Sequence, residues 1–193
     1  ARGVHGIDAD VVIVLDFGHG LMGPEEREIV TKAKFLAVNA QTNAGNNPFN
    51  PVTRYSRADY VCVDEPEARL AAGDQHGTVS DLAENLSEKI ECERLVITRG
   101  RKGADYWERA EARSVHSNGG CSSIPAFASH GIDTIGAGDA FLAVTAPLIA
   151  AGLELEVAAF VGNVAGAIKI DIVGHRRHVT RAELMGTIEA LLG

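Results

Sequence analysis

Apolar residues along the chain follow two spacings in alternation. Val11–Asp16 (VVIVLD) is an unbroken, largely β-branched run ending in an acid, the pattern of a strand buried on both faces. Phe17–Gly23 is glycine-rich and leads into Pro24-Glu25-Glu26, whose proline and acids predict a helix from there to about Lys34. Phe35–Asn39 reads as the next strand, and Ala40–Pro51 (AQTNAGNNPFNP), rich in Asn, Gly and Pro, as a loop. Asp59–Val63 reads as a third strand, followed by a short helix over Glu65–Ala72 closed by Gly73. In Val79–Lys89 the residues Val79, Leu82, Ala83 and Leu86 recur at helical spacing. Arg94–Thr98 predicts a fourth strand and Arg99–Gly103 a glycine-bearing turn. Ala104–Trp107 and Ala112–His116 read as a hairpin, on which Trp107 packs, and Pro125–Ala128 as one more short strand. Ala137–Ala151, Glu154–Ile170 and Arg181–Leu192 then predict helices, the first interrupted by Pro147.

Strands alternating with helices imply crossover units around a largely parallel sheet, hence one α/β domain over residues 1–193. A composition of 46% apolar and 23% charged residues supports a sizeable core. A formal charge of −8 disfavours nucleic acid as partner, because that affinity rests on neutralising phosphates with cations. The longest apolar stretch, Ala140–Ala151, is too short to span a bilayer, so no membrane segment is expected. Cys62, Cys92 and Cys121 form neither a CxxC nor a ligand pair, which points to a reducing cytoplasm rather than to a disulfide framework. The opening ARGVHGIDAD lacks an initiator Met and a signal peptide, and its nearness to the first strand suggests a trimmed chain.

The chemistry concentrates in His130–Phe141 (HGIDTIGAGDAF), where a glycine-rich turn opens a helix. Gly136, Ala137 and Gly138 lack bulk, so their amides can converge on an anion at the positive end of that helix. Asp139 then stands where a base could take a proton from a hydroxyl attacking a phosphoryl group. The segment is neither GxGxxG nor GxxxxGK[ST], which weakens a dinucleotide-fold or P-loop reading. On residue chemistry alone, a plain glycine turn with an acid in the first helical turn explains it equally well. His5, His76 and His116 show no ligand spacing.

DTIGAGDAF resembles the DTxGAGD signature of the PfkB/ribokinase family of carbohydrate kinases. Three other segments are similar to family motifs, in family order: Leu95–Gly103 (LVITRGRKG) to TxGxxG, Asp64–Glu67 (DEPE) to NxxE, and Phe160–Ile170 (FVGNVAGAIKI) to the late helix bordering adenine. Leu15–Gly20 (LDFGHG) is similar to the SDYGKG segment of heptose-phosphate kinases, whereas Val38–Asn46 (VNAQTNAGN) departs from their DPKG-like sequence.

The resemblance implies a ribokinase-like three-layer α/β/α fold of which this chain is the C-terminal, nucleotide-binding and catalytic part, without the N-terminal portion and the β lid. It implies ATP-dependent phosphorylation of a sugar or sugar phosphate, with Asp139 as base and Gly136, Ala137 and Gly138 as anion hole. It further implies Thr98, Gly100 and Gly103 near the nucleotide, Asn163 beside adenine, and Glu67 with Asp64 acting on Mg²⁺. It allows K⁺ near Asp133, and a homodimer or a fused nucleotidyltransferase domain. Individually, Thr98 is as well read as a turn-capping hydroxyl, Asn163 as a helix-packing amide and Glu67 as a first-turn acid. Asp64 stands where the motif has Asn, and Gly174–His178 (GHRRH) replaces a neutral turn; His175 and Arg177 read as part of a solvated basic turn or as phosphate contacts. These departures keep open a non-catalytic nucleotide- or sugar-binding module.

Overall fold

The computed structural model describes residues 7–43, 45–109, 120–127, 135–174 and 176–193. Four strands, β1 (Val12–Asp16), β2 (Leu36–Ala40), β3 (Ala58–Asp64) and β4 (Cys92–Thr98), lie parallel in chain order. Two antiparallel strands, β5 (Ala104–Glu108) and β6 (Gly120–Ile124), extend the same sheet, giving the order β1-β2-β3-β4-β5-β6. Helices α1 (Pro24–Val30), α2 (Glu65–Ala72) and α3 (Val79–Lys89) belong to the crossovers, and α4 (Ala137–Ala150), α5 (Leu155–Ile170) and α6 (Arg181–Leu192) follow the sheet.

β2, β3 and β4 are apolar and largely covered on both faces, whereas β1 leaves Ile13 and Leu15 exposed, against the expectation that its apolar run is buried on both sides. Val38, Val61, Val63, Leu95 and Ile97 point into a core completed by Leu82, Leu86 and Ile90 around α3. Their neighbours Ala37, Tyr60, Cys62 and Val96 point the other way, against Phe141, Leu142 and Ala146 of α4 and Leu155 and Ala158 of α5. This alternation within each strand makes three layers, α/β/α. Tyr60 is fully buried and its hydroxyl meets the Thr145 hydroxyl at 2.9 Å, which satisfies both inside the apolar layer. Gly162 lets α5 approach α4 closely, since a Cβ there would stand 2.6 Å from Thr145 Cγ2.

Helix starts follow local chemistry. Asp64 and Glu67 form a reciprocal capping box on α2, as do Thr78 and Asp81 on α3 and Thr180 and Glu183 on α6. Gly73 closes α2 in the left-handed conformation, as expected from its place after the last apolar position.

The structure also departs from the sequence reading elsewhere. Helix α1 stops at Val30, because Lys32 and Ala33 bond back three residues in tighter turns instead of continuing the helix. The strand paired with β5 is Gly120–Ile124, in the register Ala104↔Ile124 to Glu108↔Gly120; the segment Ala112–His116 lies outside the described residues. Pro125 follows that strand rather than opening another, consistent with its lack of a ladder donor. Helix α4 runs through Pro147 to Ala150 as one span, and so close to its end the proline removes little of the helix. Trp107, expected to pack on the hairpin, is buried in the α3-side core. Among the described residues no helix is long and apolar enough to cross a membrane.

Candidate active site

The C-terminal ends of β2, β3 and β4 open beside the start of α4, and a cleft of about 920 Å³ lies between them. Ligands gather at this end of parallel sheets because loops there leave backbone donors and strand-end side chains unpaired.

Gly136 is the N-cap of α4 with φ 77°, a left-handed conformation that a side chain would strain. The first backbone bond of the helix runs from the Ala140 amide to the Gly136 carbonyl, at 3.0 Å. The amides of Ala137 and Gly138 precede it and have no acceptor within the helix, so they are donors at its positive end. A Cβ on Gly138 would meet nothing within 4 Å, which leaves that backbone open to the cleft. Asp139 sits in the first turn, and its Oδ1 accepts a 2.9 Å hydrogen bond from Gln41 Nε2. Asp133 and Thr134 lie outside the described residues.

Facing α4 across the cleft is the α2 capping box. Glu67 Oε2 accepts from the Asp64 amide at 3.1 Å and Oε1 from the Thr42 amide at 3.2 Å. Burial pushes the Glu67 carboxyl up to about 7, and the charges of Asp64 and then Asp139 push in the same direction. Partial loss of hydration also raises Asp64, against the amide of Glu67 that holds it down. Burial is the main cause that drives the Cys62 thiol up to about 12, with Glu67, Asp139 and Asp64 adding to it. The three carboxylates thus share one electrostatic neighbourhood.

Asn39, at 7% exposure, donates from Nδ2 to the Cys62 carbonyl at 2.8 Å. Its Oδ1, like the hydroxyl of Thr42, is buried without a hydrogen-bond partner among the described residues, and both residues line the cleft. Unpartnered oxygens beside an acid whose proton affinity is raised fit a hydrated Mg²⁺, which prefers hard oxygen donors and keeps several waters. Among the described residues no three His, Cys, Asp or Glu side chains are grouped to hold a metal directly.

The nucleotide-side residues divide. Thr98 lines the cleft, its hydroxyl 3.5 Å from the Val63 carbonyl, a weak contact that leaves it available. Gly100, at φ 56°, has open space where a Cβ would stand. Gly103 also lines the cleft, but its glycine has a structural cause: at φ 92° a Cβ would stand 1.9 Å from the Ile124 carbonyl. Asn163 lines the opposite wall, with Nδ2 3.5 Å from the Pro125 carbonyl. Arg99, between Thr98 and Gly100, pairs with Glu65 at 3.0 Å and Asp105 at 2.8 Å and so pins this turn to α2 and β5.

Two other motifs take structural roles. In LDFGHG, buried Asp16 accepts from the Tyr55 hydroxyl at 2.8 Å and the Gly18 amide at 2.9 Å, while Phe17 reaches the cleft. In the basic turn, Arg177 pairs with Glu183 at 2.6 Å, which matches a solvated turn; His175 lies outside the described residues. The sequence reading missed Asn39, Gln41 and Thr42. Their only signal was that VNAQTNAGN departs from the DPKG-like pattern.

This sheet, helix arrangement and cleft define a ribokinase-like fold, and residues 27–179 match the model of the pfkB family carbohydrate kinases. The chain belongs to that family. It is 28% identical over 172 residues to the bifunctional protein HldE of Citrifermentans bemidjiense, covering 86% of this chain and 33% of that protein. To HldE of Azorhizobium caulinodans it is 31% identical over 190 residues, covering 94% and 36%. Ribokinase of Thermotoga maritima superposes with a TM-score of 0.68 at 22% identity, covering 86% of this chain and 54% of that one. The Burkholderia thailandensis nucleoside kinase solved with inosine gives 0.69 at 26% identity, covering 95% and 57%. The chain therefore spans about a third of those curated relatives and just over half of those solved chains.

Proposed function

We propose that this chain is the nucleotide-binding and catalytic part of an ATP-dependent kinase acting on a sugar or sugar phosphate. The observation that carries this reading is Asp139 in the first turn of α4, directly after Gly136–Gly138, with its carboxylate held by Gln41 at the edge of the cleft. Asp139 takes the proton of the acceptor hydroxyl. The oxygen then forms a bond to the γ-phosphorus while the bond from that phosphorus to the ADP oxygen breaks. The Ala137 and Gly138 amides receive charge developing on the phosphoryl oxygens. Thr98 and Gly100 border the nucleotide phosphates and Asn163 the base. Mg²⁺, when bound through water at Glu67 and Asp64, would neutralise phosphate charge. The similarity of LDFGHG to heptose-phosphate kinases, together with the bifunctional relatives, favours a phosphorylated sugar as acceptor and a fused nucleotidyltransferase or a homodimer as partner, in the cytoplasm.

Asp139→Asn in the full-length protein tests the reading. Turnover should fall by roughly 10²–10⁴-fold, the usual contribution of a positioned base, with ATP affinity nearly unchanged. Wild-type turnover in the variant would remove Asp139 from the mechanism. Saturable ATP binding without turnover on any sugar or sugar phosphate tested would favour a binding module, a reading to which the acidic Asp64 lends weight.

A further inference from the structure

Lys169 lies in the last turn of α5 and is buried, with 6% of its surface exposed. Its Nζ donates to three backbone carbonyls: Ile135 at 2.9 Å, Gly174 at 2.9 Å and Ile172 at 3.4 Å. Among the described residues it forms no ion pair with a carboxylate. An ammonium taken out of water is costly, and it persists where the surrounding dipoles are arranged for a cation.

Two of the carbonyls come from the turn after α5, where a lysine commonly satisfies the orphan carbonyls of a helix end. The third does not. Ile135 immediately precedes Gly136, the residue that caps α4 and aims the Ala137 and Gly138 amides. One side chain therefore ties the end of α5 to the entrance of the anion-binding turn, across 34 positions of sequence.

Several backbone carbonyls around one unhydrated positive charge form the environment that holds K⁺ where its water shell is replaced. The family resemblance allows K⁺ beside Asp133, two positions before Ile135. In this chain the Ile135 carbonyl is already bonded to an ammonium supplied by the protein itself.

We propose that Lys169 is a built-in monovalent cation: its ammonium organises the anion-binding turn, and phosphoryl transfer by this protein is therefore independent of added K⁺. Lys169 is a positioning residue that acts through Ile135 and Gly136, and its effect on turnover rests on the kinase reading above.

The test compares the full-length wild type with Lys169→Met, which keeps the length of the side chain and removes the charge. Rates and thermal melting are followed in tetramethylammonium buffer with K⁺, NH₄⁺ or Li⁺ added. Wild-type rate and melting temperature should hardly respond to K⁺. The variant should lose about tenfold or more in turnover, the scale for losing hydrogen bonds from a charged donor. K⁺ or NH₄⁺, but not Li⁺, should restore part of that rate and raise the variant's melting temperature. Strong K⁺ activation of the wild type would overturn the proposal, and so would a folded variant that is fully active or blind to every cation. The melting assay needs no turnover, so it reads the cation site even if the kinase reading fails. Should Lys169→Met not fold, Lys169→Gln and the wild-type K⁺ titration carry the same decision.

Discussion

Gln41 and Asp139, 98 positions apart in sequence, are joined by a 2.9 Å hydrogen bond from the amide Nε2 to the carboxylate Oδ1. The bond links the loop after β2 to the first turn of α4 and fixes where one carboxylate oxygen points.

On the proposed role of Asp139, Gln41→Ala should reduce kcat by roughly 10- to 100-fold, from the loss of a hydrogen bond to a charged group. Gln41→Glu should be worse, because a like charge beside the base raises its pKa and shifts the acid limb of the pH–rate profile upward. Measuring kcat against pH for both variants checks this. An unchanged acid limb in Gln41→Glu would show that the contact does not govern the base.

Glu67 makes stability depend on pH in a defined direction. Its carboxyl is raised from 4.5 to about 7 in the folded state. Between those values the folded state holds a proton that the unfolded chain has released, so stability from this group falls as pH rises through the window. Glu67→Gln keeps the capping-box geometry, since Gln serves at that position, and removes the charge. The melting temperature of wild type relative to Glu67→Gln should therefore decline from about pH 4.5 to pH 7. A constant difference would contradict the raised carboxyl.

Bound Mg²⁺ should counter that trend. With nucleotide and Mg²⁺ present, the protonated fraction of Glu67 should fall and the pH dependence of the melting difference flatten. A thermal titration with and without Mg²⁺ reads this directly.

Gly103 and Gly100 belong to the same TxGxxG segment but should respond differently to alanine. Gly103→Ala places a Cβ 1.9 Å from the Ile124 carbonyl and 2.7 Å from the Ala126 amide, so the turn or β6 must shift. A loss of about 3 kcal/mol or more is expected from strain at a special backbone position compounded by overpacking. Gly100→Ala meets open space and only the left-handed penalty, about 1–2 kcal/mol. Chemical denaturation of both variants separates them, and the nucleotide Kd of Gly100→Ala reads its contact with ligand.

Arg99→Ala should destabilise by about 3 kcal/mol, because it strips the ion-pair partner from Asp105, which is 4% exposed. Asp105→Asn in the same background should recover part of the loss; if it does not, Arg99 stabilises chiefly through Glu65.

The sequence by itself determined what depends on near neighbours in the chain. Continuous apolar runs marked β1 to β4 as strands, although β1 is buried on one face only, and helical spacing marked α3 to α6. The glycine turn at Gly136 and the acid at Asp139 were legible for the same reason: an anion-binding helix start is a property of consecutive residues. Tertiary structure decided what depends on packing between distant segments. That β5 pairs with Gly120–Ile124, that Gly103 is glycine because of the Ile124 carbonyl, and that Asn39, Gln41 and Thr42 gather beside Glu67 and Asp139 carry no periodic signal. Lys169 is the clearest case. At the end of an amphipathic pattern a lysine reads as a solvated charge, and only the crossing of α5 beneath the α4 entrance buries it among carbonyls. Local chemistry sets which element forms, and the three-layer packing sets which polar atoms lose water and must find one another.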